Sequence, residues 1–231
     1  MSENVLKVYR SEWKFYISLV EYHYLKGLLS GIMTPDPHME DKGEYYIRSL
    51  YFDSVDNTDY VTKVAGIEMR KKIRIRIYNT KADAAKLEIK NRYNQYMLKE
   101  SLTIDRDVAE RLIAGDYETL DNYSDTVARK AKNIMETGIY TPKTIVDYER
   151  EAYVYPEHNV RVTFDKNIRA AASDRIYDSD LPMTPLLREP VMVLEVKYDQ
   201  VLPQFIKDAI STARLLNSSV SKYCMARELV G

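Results

Sequence analysis

The chain has 231 residues, with Lys+Arg 34 against Asp+Glu 35, 20 tyrosines and one cysteine. The near-neutral balance sets aside a general nucleic-acid binder, which carries a clear basic excess. Cys224 alone excludes an internal disulfide and fits a reducing compartment. No run of about 18 apolar residues spans a bilayer, and the first residues lack the apolar core of a signal peptide, so the expectation is a soluble cytoplasmic protein.

Hydrophobic periodicity gives the elements in chain order. A short strand is expected around Val8 to Ile17. Ser18 then caps a helix carrying Leu19, Val20, Tyr22, Leu25, Leu28 and Leu29, which stops near Gly31. Alternating stretches follow at Tyr45 to Phe52, Arg70 to Asn79, Lys86 to Arg92 and Met97 to Thr103. Asp105 caps a short helix with Val108, Leu112 and Ile113, ended by Gly115. Thr126 to Glu136 reads as a basic helix closing at Gly138. Strands recur at Thr144 to Tyr155, Val160 to Asp165 and Val191 to Tyr198. Pro203 opens a helix running to about Leu216, with Phe205, Ile206, Ala209, Ile210, Ala213 and Leu216 on its apolar stripe. No linker interrupts the series, so one domain over residues 1–231 is expected. The fold class is α+β: about eight antiparallel strands, enough for a β-barrel or a strongly curled sheet, with flanking helices.

The stretch Arg70 to Tyr78, R-K-K-I-R-I-R-I-Y, carries the strongest chemical signal. Alternation puts Arg70, Lys72, Arg74 and Arg76 on one face of a strand and Ile73, Ile75 and Ile77 on the other. Four cations in register repel one another unless an anion or water lies against them, so loss of any one should relieve the empty protein. Leu87-Glu88-Ile89-Lys90 and Leu194-Glu195-Val196-Lys197 repeat the theme. Arg48, Arg92, Lys99, Arg150 and Arg161 stand in neighbouring strands. A closed sheet would bring these cations together inside, where Arg takes phosphate oxygens bidentately and Lys as a point charge. The ligand so implied is a small polyanion, phosphate first.

Glu12, Glu88 and Glu195 each stand two residues before a lysine (Lys14, Lys90 and Lys197) and share its face. They read either as a ladder offsetting lysine repulsion or as ligands of a hard divalent ion such as Mg2+ or Mn2+. Glu195, in the most apolar strand, is the first metal candidate, followed by Glu88 and Glu12. His23, His38 and His158 show no metal-ligand spacing, and Cys224 reads as a small core residue. No glycine-rich phosphate loop is present.

The order R-x-E-x-K (Arg10, Glu12, Lys14), Y-I-R-S-L-Y-F-D (46–53), G-x-x-x-R-x-K-x-R-x-R-x-Y (Gly66 to Tyr78), L-E-I-K, Y-x-R (Tyr148, Arg150), V-R-V-T-F-D, L-E-V-K and S-K-Y (Ser221 to Tyr223) resembles the VTC domain, over about residues 9 to 226. That resemblance implies a triphosphate-tunnel fold and inorganic polyphosphate synthesis from ATP with a divalent metal, manganese in particular. It also implies a stand-alone domain of bacterial type, without membrane insertion of its own and with any membrane partner unidentified. By the same resemblance, Lys14, Arg74, Arg76, Arg150, Arg161 and Tyr148 would act on the reacting phosphates. Arg48, Arg70, Lys72, Lys90, Lys99, Lys197 and Lys222 would grip triphosphate or the growing chain. Arg10 stands where the wider tunnel superfamily carries the first acid of E-x-E-x-K, which weighs against a hydrolase. A tunnel triphosphatase and a non-catalytic polyphosphate-binding module stay open as alternatives.

Overall fold

The computed structural model describes residues 10–39, 43–93, 96–188, 190–213 and 215–230. In chain order its elements are β1 (Arg10–Ile17), α1 (Leu19–Ser30), β2 (Thr34–Pro35), β3 (Tyr45–Asp53), α2 (Thr58–Val64), β4 (Met69–Ile77), β5 (Ala84–Tyr93), β6 (Tyr96–Asp105), α3 (Arg106–Ile113) and α4 (Thr126–Thr137). They continue with β7 (Thr141–Tyr155), β8 (Val160–Ala171), β9 (Thr184–Pro185), β10 (Met192–Asp199), α5 (Gln204–Ser211) and α6 (Lys222–Val230). The strands form one antiparallel sheet in the hydrogen-bonded order β1-β10-β8-β7-β3-β4-β5-β6, with β2 beside β7 and β9 beside β8. The eight strands of that path are the eight expected; β2 and β9 are too short to leave a periodic signal. Val8 and Tyr9, the expected start of the first strand, lie outside the described residues. No helix among the described residues is long and apolar enough to cross a membrane.

Two compact units interleave along the chain. The first comprises the described residues of Met1–Tyr45, Arg150–Lys166 and Glu189–Val220, the second those of Tyr46–Glu149, Asn167–Arg188 and Ser221–Gly231.

In the first unit, Phe15 and Ile17, Val162 and Phe164, and Leu194 and Val196 leave one face of their strands and pack with Leu25 and Leu29 of α1 and Ile206 and Ile210 of α5. A capping box starts α1 where the sequence predicts it. Ser18 Oγ accepts from the Glu21 amide at 3.3 Å, and Glu21 Oε2 accepts from the Ser18 amide at 2.7 Å. Such a cap is worth about 1 kcal/mol. The last predicted helix is shorter than its apolar stripe suggests. It ends at Ser211, and Leu216 is 85 % exposed. Beyond it the chain is drawn onto β1, where the Ser218 amide donates to the Lys14 carbonyl at 2.8 Å and the Lys14 amide donates to Asn217 Oδ1 at 3.2 Å. Satisfying an edge strand's backbone outweighs continuing a helix there.

In the second unit, Leu50 and Phe52, Ile73, Ile75 and Ile77, Leu87 and Ile89, and Leu102 and Ile104 form one apolar face. It packs on Val108 and Leu112 of α3 and Ala128, Ala131 and Met135 of α4. Two helices here carry no strong signal. The start of α2 is held by Asp53, whose carboxylate accepts from the amides of Ser54 (2.8 Å), Asp59 (2.9 Å) and Tyr60 (2.9 Å). That buried acid also takes the Tyr223 hydroxyl of α6 at 2.6 Å. A single residue at the end of β3 thereby fixes two helices.

Candidate functional site

Each unit presents a charged face opposite its apolar one. In the second unit, the register sets the face out in rows. One row is Tyr51, Arg74, Glu88 and Ser101 across β3 to β6; beside it run Ser49, Arg76, Lys86 and Thr103, and on the other side Lys72, Lys90 and Lys99. Arg74 and Arg76 are buried, as are Tyr51 and Glu88. Arg74 is fully engaged: Nε donates to Glu88 Oε2 at 2.6 Å, Nη2 lies 2.5 Å from the same oxygen, and Nη1 donates to Tyr51 Oη at 3.0 Å. Arg76 donates to Ser49 Oγ at 3.1 Å and to Tyr148 Oη at 3.3 Å.

The S-K-Y segment at the start of α6 closes onto the same strands. Lys72 Nζ donates to Ser221 Oγ at 2.9 Å, and Lys222 Nζ lies 4.8 Å over the Tyr148 ring. Tyr223 stacks on Tyr51 with centroids 5.1 Å apart. Burial pushes the Tyr51 phenol up, but Arg74, Arg76 and Lys72 outweigh it, and its pKa is lowered. A face that pulls a phenol towards its anion is strongly cationic in potential.

In the first unit, β1, β10 and β8 align Glu12 with Lys197 and Arg161, and Lys14 with Glu195 and Thr163. Arg150 forks onto Asp165, Nε to Oδ1 at 2.6 Å and Nη2 to Oδ2 at 2.8 Å, and its Nη2 also reaches Glu195 Oε2 at 3.5 Å. Lys197 Nζ lies 3.0 Å from Glu195 Oε1. Lys14 Nζ lies 2.5 Å from Glu12 Oε1 and 3.8 Å from Glu195 Oε1. Burial disfavours that ammonium, yet Glu195 and Glu12 outweigh it and its pKa is raised above the ordinary lysine value. Arg161 is held by Asp36 Oδ2 at 2.8 Å and donates to Tyr45 Oη at 2.8 Å.

The sequence placed most of these residues on the faces where the structure has them, with two corrections. Arg48 is not on the cationic face. It pairs with Ile77 across the ladder and therefore points with the isoleucines. There it meets Asp147 Oδ2 at 3.0 Å and donates to the carbonyls of Asp178 (2.5 Å) and Ile176 (3.3 Å). The alternation of Arg48, Leu50 and Phe52 already carried that signal. Glu88 is less suited to a divalent metal than Glu12 and Glu195. Arg74 and Lys99 take its two oxygens, Lys99 Nζ at 2.5 Å, and Arg76 Nη1 stands 4.0 Å away; among the described ion pairs none of these cations is shared with a second acid. Arg70 lies at the open end of its strand, donating to the Ile67 carbonyl at 2.9 Å. The basic helix α4 is a paired, solvated face, with Lys130 on Glu100 and Lys132 on Asp121.

Among the described residues, no group of three or more His, Cys, Asp or Glu side chains is set to hold a metal ion. Glu12 and Glu195 nevertheless converge on one cationic point, the Lys14 ammonium. Two carboxylates so placed fit a hard divalent ion whose remaining ligands are phosphate and water, the usual composition of a magnesium-type site.

A family model for the VTC domain matches residues 9–230. The chain belongs to the VTC-domain family. Comparison with curated protein sequences finds no match. Among solved structures, this VTC domain is similar in fold to a candidate adenylyl cyclase from Hippeastrum with a dominant triphosphatase activity, at 15% identity and TM-score 0.58, covering 95% of this chain and 96% of that one. It is also similar to a candidate adenylate cyclase from Bacillus halodurans, at 12% identity and TM-score 0.52, covering 92% of this chain and 95% of that one. The VTC domain thus has the tunnel-type antiparallel fold that its motifs imply.

Sequence reasoning missed the partners that hold the cations. Asp36 has no pattern of its own, while Asp165, Tyr51, Ser221 and Tyr223 stand within motifs that give them no such role. Alternation makes two of them legible, Asp165 on the face of Arg161 and Thr163, and Tyr51 on the face of Ser49.

Proposed function

We propose that this VTC domain is a metal-dependent phosphotransferase that extends inorganic polyphosphate with the terminal phosphoryl group of ATP. The observation that carries the reading is the arrangement of Lys72, Arg74, Arg76, Lys90 and Lys99 in neighbouring rows on one face, joined there by Tyr148 and Lys222. Among the described residues, that face shows no nucleophile held against a base. It does have forked and point-charge donors in adjacent rows, and phosphoryl transfer needs alignment and charge neutralisation more than covalent help. The first unit has the same donor types on its own charged face, in Lys14, Arg150, Arg161 and Lys197. Glu195, with Glu12, would hold a divalent ion; such an ion neutralises phosphate oxygens when bound. Tyr148, already within reach of Arg76, would donate its hydroxyl to a phosphate oxygen.

The test is incubation with ATP and manganese, followed by electrophoresis stained for polyphosphate. A ladder of long chains is expected. Release of free phosphate alone would move the protein to the triphosphatases, the activity described for the Hippeastrum neighbour. Tight triphosphate binding without product across several metals would make it a sensor.

A further inference from the structure

We propose that Glu88 is a built-in counter-ion which occupies a phosphate seat on the cationic face and sets how tightly, and for how long, that face holds a polyanion. The inference rests on the phosphate-binding reading above and assigns Glu88 a part in it distinct from metal binding.

Across β4, β5 and β6 the three rows contain Lys72, Arg74, Arg76, Lys86, Lys90 and Lys99, and Glu88 sits in the middle row. Its carboxylate is gripped as a phosphate would be. One oxygen takes two guanidinium nitrogens of Arg74, the other takes Lys99, and Arg76 stands 4.0 Å off. Fork plus point charge on two oxygens of one anion is the grip these residue types make on phosphate. Burial pushes the carboxyl towards its neutral form, but Arg74, Arg76 and Lys99 outweigh it and hold it well below the usual carboxylate range. Those cations favour the anionic form of Glu88.

A phosphate approaching Arg74 thus meets an occupied fork. It must share or displace Glu88, and it feels the repulsion of a fixed negative charge within a few ångströms. The gain from this arrangement is release. Six cations without a counter-charge would bind a polyphosphate chain so tightly that it could not advance or leave, and most affinity differences of this kind appear in the dissociation rate. Glu88 also spares the empty face the repulsion that six neighbouring cations would create.

The probe is inorganic tripolyphosphate, titrated calorimetrically in metal-free buffer against wild type, Glu88→Gln and Glu88→Asp. Wild type is expected to bind. Glu88→Gln should bind at least ~10-fold tighter with slower dissociation, because a repelling charge close to the ligand is gone. Glu88→Asp, which keeps the charge, should stay near wild type. Thermal unfolding keeps the idea testable if Glu88→Gln is weakened by its unpaired arginine. Tripolyphosphate should then raise its melting temperature by more than it raises that of wild type, since the ligand supplies the missing anion. A folded Glu88→Gln whose tripolyphosphate affinity is unchanged or lower overturns the inference. So does an unstable variant that tripolyphosphate does not recover. Wild type that fails to bind tripolyphosphate would instead sink the phosphate reading itself.

Discussion

Arg74→Met separates two accounts of the basic strand. From sequence, removal of one crowded cation relieves repulsion and costs the fold nothing. The structure reverses the sign. Arg74 makes three polar contacts, two to Glu88 and one to Tyr51, and both partners are buried, Glu88 at 1 % exposure. Breaking a buried ion pair by deleting one partner costs about 3–5 kcal/mol, because the survivor is left charged and dry. Here Lys99 remains on Glu88 at 2.5 Å, and Arg76 can close from 4.0 Å. The expected loss is therefore at the lower end, about 3 kcal/mol, or roughly 6–12 °C in melting temperature for a chain of this size. The measurement is urea unfolding of Arg74→Met, Glu88→Gln and the double variant. The double variant should be more stable than the sum of the single losses implies, with a coupling of about 2 kcal/mol. A single variant within about 0.5 kcal/mol of wild type, or an additive cycle, would refute the buried-pair account and restore the solvated strand.

Three further outcomes follow from other groups. Burial raises the Asp59 carboxyl from 3.8 to about 6, with Lys71 opposing and Asp53 reinforcing the shift. The folded form then holds a proton that the unfolded chain has released, so stability falls as pH rises through about 4 to 6, by up to ~3 kcal/mol. Asp59→Asn should therefore compare better with wild type at about pH 7.5 than at about pH 4.5 in chemical denaturation; an equal difference at both would remove Asp59 as the cause. Arg48→Ala should cost about 2 kcal/mol, because buried Asp147 loses one charged partner but keeps Arg169 and Tyr46, while leaving tripolyphosphate affinity within about twofold by calorimetry, because Arg48 faces the apolar side. Glu195→Gln should abolish metal-dependent turnover yet leave metal-free tripolyphosphate affinity intact or higher; full metal-dependent activity would leave Glu12 as the remaining carboxylate.

What the sequence made legible is what periodicity encodes. Strand period assigned Ile73, Ile75 and Ile77 to the core and Arg74 and Arg76 to the opposite face, and both assignments hold because one face of the sheet must pack on helices. The same rule, applied to Arg48-Ser49-Leu50-Tyr51-Phe52, would have put Arg48 inward and Tyr51 beside Arg74. A charge on an apolar face is overlooked when charge itself is taken as the sign of exposure. Arg48 is inward because Asp147 and two backbone carbonyls wait there, and partners 99 to 130 residues away along the chain leave no local trace.

The acids show a further limit. Glu12, Glu88 and Glu195 share one sequence context, an acid two places before a lysine, and from sequence they are equivalent. The ladders make them different. Glu88 is flanked across β4 and β6 by Arg74 and Ser101, and Lys99, one row over, reaches it, so cations take both of its oxygens. Glu195 also meets three cations, Lys14, Lys197 and Arg150, but Glu12 shares the first of them, so there a second acid approaches. Two acids meeting at one cation would offer a divalent ion two carboxylates in its place, whereas Glu88 would offer one. Strand register, not residue type, therefore sets the three glutamates apart.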